Sequence, residues 1–196
     1  MPYSAKHKAK TREKIVETAR ILFNRHGFEG VSIDQIMAEV GLTRGGFYNH
    51  FETKETLYAE AVAHFLDGRG KTWREDARVD PENGGPETVK AMIDSYLSCA
   101  HASDIDGQCP MIALPSDTAR ASPDVRKSYE TLVRAMSWLF ENNLPESINN
   151  KDDRALVLSA LCVGGMVLSR TIDDQEFADR IRSTVREFTI ASVEKA

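Results

Sequence analysis

No part of this 196-residue chain is apolar for long enough to cross a bilayer. The longest apolar stretch, Ala155 to Leu168, falls short of the roughly 20 residues that a spanning helix needs. The start, MPYSAKHKAKTREK, is polar and basic and lacks the apolar centre of a secretory signal, so a cytoplasmic protein with no membrane partner is expected. Cysteine is scarce. Cys99, Cys109 and Cys162 are odd in number and include no C-x-x-C pair, which disfavours a disulfide framework or a zinc site and suits a reducing compartment. Glycine-rich phosphate loops, nucleophile elbows and metal-spaced clusters are missing, so neither an enzyme nor a bound cofactor or metal is expected. Strand-like alternation never exceeds a few residues, and there is no internal repeat or low-complexity tract.

What remains is helix, on a chain whose charge is unevenly spread. The net charge is −5, yet residues 1–54 carry +3 and residues 55–196 carry −8. A basic N-terminal part on an acidic body points to a local anion-binding face. Ile15, Ala19, Leu22 and Phe23 recur at helical spacing, with Thr11 as the expected N-cap and Gly27 closing the helix. Lys6, Lys8, Lys10 and Arg12 precede it, either as phosphate or minor-groove contacts or as a solvated tail. Ser32 and Gln35 form a capping box ahead of Ile33, Ile36, Met37 and Val40, and Gly41 stops that second helix.

The most informative stretch follows, TRGGFYNHF from Thr43 to Phe51, then Thr53-Lys54-Glu55. Thr43 should cap a third helix, with Phe47 and Phe51 facing inward. Two adjacent glycines sit where this short helix begins, each costing about 0.5–1 kcal/mol relative to alanine. Around Gly45 and Gly46 stand Thr43, Arg44, Tyr48, Asn49, His50 and Lys54, all able to donate to phosphates or base edges. Only Gly41 and Leu42 separate the second and third helices, which makes the pair a helix-turn-helix. Arg44 could read guanine and Asn49 adenine.

The rest of the chain predicts further helices. One runs from near Thr53 past Trp73, weakened by Gly68 and Gly70. A loop over Asp80–Pro86 precedes an amphipathic helix carrying Val89, Met92, Ile93, Tyr96, Leu97 and Ala100. A second loop covers Ser103–Gln108. A short helix from Cys109-Pro110 is interrupted by Pro115. Ser122-Pro123-Asp124 opens a long helix. The segment ALVLSALCVGGMVL is apolar on every side and must be buried all round, with Gly164 and Gly165 admitting a close neighbour. Asp173 and Glu176 cap the last helix, built on Phe177, Ile181, Val185 and Phe188.

Gly27-Phe28, Val31-Ser32-Ile33, Ile36, Gly41-Leu42-Thr43, Gly45, Phe47-Tyr48, His50-Phe51, Lys54-Glu55 and Leu57 together resemble the DNA-binding domain of TetR/AcrR-type bacterial transcriptional regulators, over about a quarter of the chain. The resemblance implies an all-α protein of about nine helices. Residues 1–54 would form a three-helix DNA-binding domain and residues 55–196 a helical effector-binding and dimerisation domain. It implies a homodimer that binds a palindromic double-stranded operator, mostly as a repressor released by a signal. By the same resemblance Thr43, Tyr48, His50 and Lys54 would contact phosphates, with Arg44, Gly45 and Asn49 nearest the bases and Gly46 beside them.

The sensing half leaves two options. Cys109 stands at an expected helix start, where a thiolate is favoured, and the resemblance suggests a redox or electrophile switch with Cys99 as resolving partner. The bland alternative is a buried residue that shapes a turn. The other option is a small-molecule effector in an apolar cavity built from Trp73, Met92, Tyr96, Met111, Met136, Trp138 and Met166, each of which could equally be plain core. The Ala155–Leu168 and Phe177–Phe188 helices are too apolar for a monomer surface and are expected to pair with symmetry mates as a four-helix bundle. Two rivals stand beside the regulator: a cysteine-dependent enzyme using Cys109 with His101 as base, and a DNA-binding protein without an effector.

Overall fold

A computed structural model describes residues 5–82 and 84–194. Among these the chain is all helical, in twelve helices. The N-terminal unit is α1 (Ala5–His26), α2 (Ile33–Glu39) and α3 (Arg44–Phe47). Ile15, Val16, Ala19 and Phe23 of α1 meet Ile36, Met37 and Phe47 in a closed apolar centre. The capping box forms as expected: Ser32 Oγ accepts from Gln35 N, and Gln35 Oε1 accepts from Ser32 N at 2.7 Å. Gly41 ends α2 at φ +74°, a conformation that a side chain disfavours.

Helix α1 starts well before Thr11, which lies inside it. Alanine and lysine are strong helix formers, and they carry the helix back to Ala5. Lys6, Lys8, Lys10 and Arg12 are therefore residues of a helix, not of a tail. Residues 1–4 of the basic start lie outside the described residues.

Helix α4 (Lys54–His64) joins the two halves, packing on α1 on one side and α10 (Pro123–Asn143) on the other. Thr53 caps it, accepting from Thr56 N at 3.1 Å. It does not run past Trp73. The chain turns at residues 65–68 and restarts as α5 (Arg69–Asp76). A side chain at Gly70 would place Cβ 2.6 Å from the Phe65 carbonyl, so only glycine permits this turn.

Helix α6 (Gly85–Tyr96) begins inside the expected loop, which also includes residue 83, outside the described residues. It stops before Ala100. Ser98 caps α7 (Cys99–Ser103), accepting from His101 N at 3.0 Å. After the loop at 104–109 come α8 (Pro110–Ala113) and α9 (Pro115–Arg120), divided at Pro115 as expected. Ser122 caps α10. These extra breaks account for twelve helices where about nine were expected.

Helices α11 (Lys151–Arg170) and α12 (Gln175–Glu194) pack on each other, and α11 also packs on α10. Their close approach uses Gly165, where an added Cβ would stand 3.1 Å from Val185; Gly164 faces open space. The cap of α12 is Asp174, one residue beyond the expected Asp173: its Oδ1 accepts from Phe177 N at 3.1 Å. Within one chain α11 is not buried all round. Ala155, Leu158, Cys162 and Met166 are covered, whereas Leu156, Val157 and Leu168 are exposed, as are Phe177 and Phe188 of α12.

Candidate nucleic-acid interface and internal cavity

The helix-turn-helix is held from within by two rings. Phe47 and Phe51 are buried with centroids 5.6 Å apart, and the Arg12 guanidinium stacks 3.9 Å over Phe51. Arg12 also donates to the His50 carbonyl and pairs with Glu60. Its hydrogen bonds clamp α1 to the corner after α3, a structural use that the sequence reading missed.

The outer surface of α3 is bare and polar. Neither Gly45 nor Gly46 has a positive φ. A Cβ on Gly45 would meet nothing within 4 Å, and one on Gly46 would meet Met37 Cε at 3.6 Å and Thr43 Oγ1 at 3.9 Å, both ordinary contacts. The folded chain therefore gives no reason for either glycine. Thr43 stands at the N-cap without a side-chain cap bond, and Tyr48 and Asn49 are exposed. The Tyr48 ring rests edge-on against Phe47 at 5.3 Å, and its side chain stays more than half exposed beside Arg44. Arg44 is exposed and pairs with Asp34 at 2.6 Å, so a base edge would have to replace an existing partner.

His50 is half-buried; burial first, and then Lys8 and Arg12, lower its pKa, so it is a neutral hydrogen-bonding group and not a cation at neutral pH. Its Nδ1 is buried with no partner. Lys54 donates to the Phe28 carbonyl at 2.5 Å and lies 4.0 Å over the Phe28 ring, so it is tied to the domain core more closely than its place in the motif suggests. A groove of about 360 Å³ runs between α1 and α3, with His7, Lys8 and Thr11 on one wall and Gly46, Asn49 and His50 on the other.

The second half holds a cavity of about 250 Å³ among α4–α8 and α10. Of the seven residues expected there, Trp73, Met92, Tyr96, Met111, Met136 and Trp138 line it. Met166 does not; it is fully buried in α11. His101 and Cys109 complete one wall.

Cys109 is not poised as a thiolate. It is 2% exposed, and burial pushes its thiol up to about 12. The four-residue α8 starting beside it supplies too small a partial charge to offset that desolvation. The His101 ring is turned to the backbone of α6: its Nδ1 engages the Tyr96 carbonyl at 2.8 Å. Cys99 is exposed and takes a hydrogen bond from Arg182 at 3.1 Å. Cys162 is buried.

The cavity wall is stitched to the DNA-binding unit. Arg20, 3% exposed, donates to the Asp106 carbonyl at 2.7 Å, and Asn24 Nδ2 donates to the Gln108 carbonyl at 2.8 Å. Arg25 pairs with Asp106, and Asp117 Oδ2 accepts from Phe28 N at 3.0 Å. All four bonds join α1 or the turn after it to residues 106–117, the segment that supplies Cys109 and Met111 to the cavity. None was visible in the sequence, because each spans more than 80 residues.

Among the described residues no helix is long and apolar enough to cross a membrane, and no cluster of three His, Cys, Asp or Glu could hold a metal.

Residues 15–61 match the model of the bacterial regulatory proteins of the tetR family. The HTH-type transcriptional regulator LmrA of Bacillus subtilis is 29% identical over 167 residues, covering 82% of this chain and 87% of the relative. YxaF of the same organism, an uncharacterised HTH-type transcriptional regulator, is 28% identical, covering 84% and 87%. The structure of a TetR-family transcriptional regulator from Cytophaga hutchinsonii superposes with a TM-score of 0.77 at 18% identity, over 97% of this chain and 98% of that one. These relatives and neighbours are regulators, not enzymes. The helix-turn-helix with its bare third helix, the family match across it and relatives that extend over most of the chain agree: this protein belongs to the tetR family of bacterial regulatory proteins and is a DNA-binding transcriptional regulator.

Proposed function

We propose that the protein is a repressor that binds a palindromic operator as a homodimer and leaves it when a small molecule fills the internal cavity. The observation that carries the DNA-reading role is the tip of α3. Gly45 is exposed, packs against nothing and adopts a conformation open to any residue, so its lack of a side chain serves a surface outside the chain. In this reading Thr43, Tyr48 and His50 donate to phosphates, Lys54 adds a phosphate contact from α4, and Arg44, Gly45, Gly46 and Asn49 approach the base edges. Lys8 extends the contact across the groove beside α1.

The exposed apolar residues of α11 and α12 support the dimer. Leu156, Val157, Leu168, Phe177 and Phe188 are each more than half exposed on adjacent helices, a patch that a second copy would cover. Release by a small molecule is favoured over a thiol switch because the cavity is open and apolar, whereas Cys109 is held as a neutral thiol. An occupant that displaces Cys109 or Met111 pulls on residues 106–117, and these hold α1 through Arg20, Asn24 and Phe28. The two reading helices then change their separation on the duplex.

Salt-dependent titration tests the DNA contacts. Tyr48→Phe is expected to weaken binding to all sequences and to flatten the log–log salt slope by about 0.9. An unchanged slope removes Tyr48 from the phosphate contacts. Asn49→Ala is expected to relax preference at one base pair in a binding-site selection, and an unaltered selected site would exclude it from base reading.

A further inference from the structure

We propose that the cavity takes an aromatic monocarboxylate of about two rings, with its apolar body between Trp73, Trp138 and the methionines and its carboxylate on Arg74. This rests on the cavity being the effector site. Size sets the first limit. An apolar cavity of about 150 Å³ holds benzene, so 250 Å³ suits a body of about two rings. The walls set the second. Trp73 and Trp138 offer ring faces and edges, and Met92, Met111 and Met136 offer polarisable sulfur that adapts to a flat guest.

Charge sets the third limit and decides the head group. Asp67 and Arg74 are the charged residues among those that line the cavity, and their surroundings differ. Asp67 is exposed in the turn after α4, where water solvates its carboxylate. Arg74, on α5, is half-buried. Burial is the largest influence on its guanidinium and lowers its pKa, against the opposing pull of Asp67, Glu75 and Cys109. A guanidinium stays charged inside a protein, so partners have to replace the hydration it loses. One does: Nη2 donates to the carbonyl of Leu66, itself part of the cavity wall, at 2.9 Å. Among the described residues no carboxylate forms an ion pair with Arg74. Glu75 is exposed and pairs with Lys71 at 3.9 Å. Arg69 on the same helix shows the contrast, for it pairs with Asp104 at 2.9 Å. A guest carboxylate supplies the missing charge, and its two oxygens match the planar fork of donors. The other titratable groups of the wall do not oppose an anion, because burial keeps Cys109, Tyr96 and His101 neutral. A cation would meet Arg74 as a like charge.

Calorimetric titration of the full chain with 2-naphthoate, its neutral isostere 2-naphthamide and the cation 2-naphthylmethylammonium is the test. The acid should bind most tightly. The amide should bind about threefold to thirtyfold more weakly, the gap between a neutral and a charge-assisted hydrogen bond, and the cation more weakly still. On Arg74→Met the order should reverse, leaving the amide tighter than the acid. Arg74→Lys, which returns the charge without the fork, should restore the preference for the acid. The native chain alone already decides between acid, amide and cation, so the proposal stays open to refutation even if a variant does not fold. Both tryptophans of the chain line the cavity, so quenching of their emission by the acid locates the guest without any variant. Amide or cation binding as tight as the acid on the native chain, an order that survives Arg74→Met, or no binding or quenching by the acid at millimolar concentration would overturn the proposal. Binding in the expected order while the operator stays occupied would uphold the ligand class and refute the effector role instead; an amide that binds more tightly than the acid and releases the operator would do the reverse.

Discussion

Gly45→Ala separates stability from DNA binding in a way few substitutions can. Glycine at a backbone conformation that alanine tolerates destabilises the fold, because the unfolded chain has more states to lose. Replacing it stabilises by about 0.4–1 kcal/mol. In the structure the new methyl would touch nothing within 4 Å and the backbone there has no positive φ, so no packing cost opposes the gain. For a chain of this length the melting temperature should rise by about 1–4 °C. On the operator the same methyl stands between the helix tip and the groove. A loss of tenfold or more in affinity is expected, about 1.4 kcal/mol or greater. Scanning calorimetry and fluorescence anisotropy with a labelled operator would measure the two effects on one preparation. A more stable protein with undiminished affinity would show that α3 does not press its bare tip against the duplex. A less stable one would show that the packing around Gly45 has been misread.

Three other outcomes follow from the geometry. Phe188→Asp puts a charge on a side chain that is 62% exposed within one chain; the fold should survive while sedimentation shows monomer, and a stable dimer would move the interface elsewhere. In alkylation followed by mass spectrometry Cys99 should react first, with Cys109 and Cys162, both held at about 12 by burial, reacting only as the protein unfolds; rapid labelling of Cys109 would revive the thiol switch. Burial lowers the His101 pKa below its ordinary 6.5, so the unfolded chain takes up that proton first as pH falls. Stability should therefore decline on acidification below about 6.5 and level off near the lower folded value, and denaturant midpoints that stay flat across that window for the native chain would contradict a neutral buried His101.

Local signals were legible in the sequence. The caps Ser32, Thr53 and Ser122 form because each bond closes within three residues. Phe47 and Phe51 turn inward because their spacing admits nothing else. Tertiary choices were less legible. The break after His64 falls where Gly68 and Gly70 weaken the helix, and the break after Tyr96 is followed by the Ser98 cap that the sequence reading did not single out. Between Asp173 and Asp174 local chemistry offers two equal caps. Six of seven cavity residues could be named from composition, since Met and Trp gather where helices meet imperfectly. The tie of Lys54 to Phe28 and the clamp made by Arg12 could not, for their partners lie 26 to 48 residues away.

A binding-site selection on random duplex DNA, carried out with the purified full chain and followed by the stoichiometry of the recovered complex, probes the central claim most directly. Two inverted half-sites are expected, spaced about one helical turn or a multiple of it, with an even number of chains on each duplex. Recovery of a single unrepeated half-site bound by one chain, or of no preferred sequence at moderate salt, would contradict it.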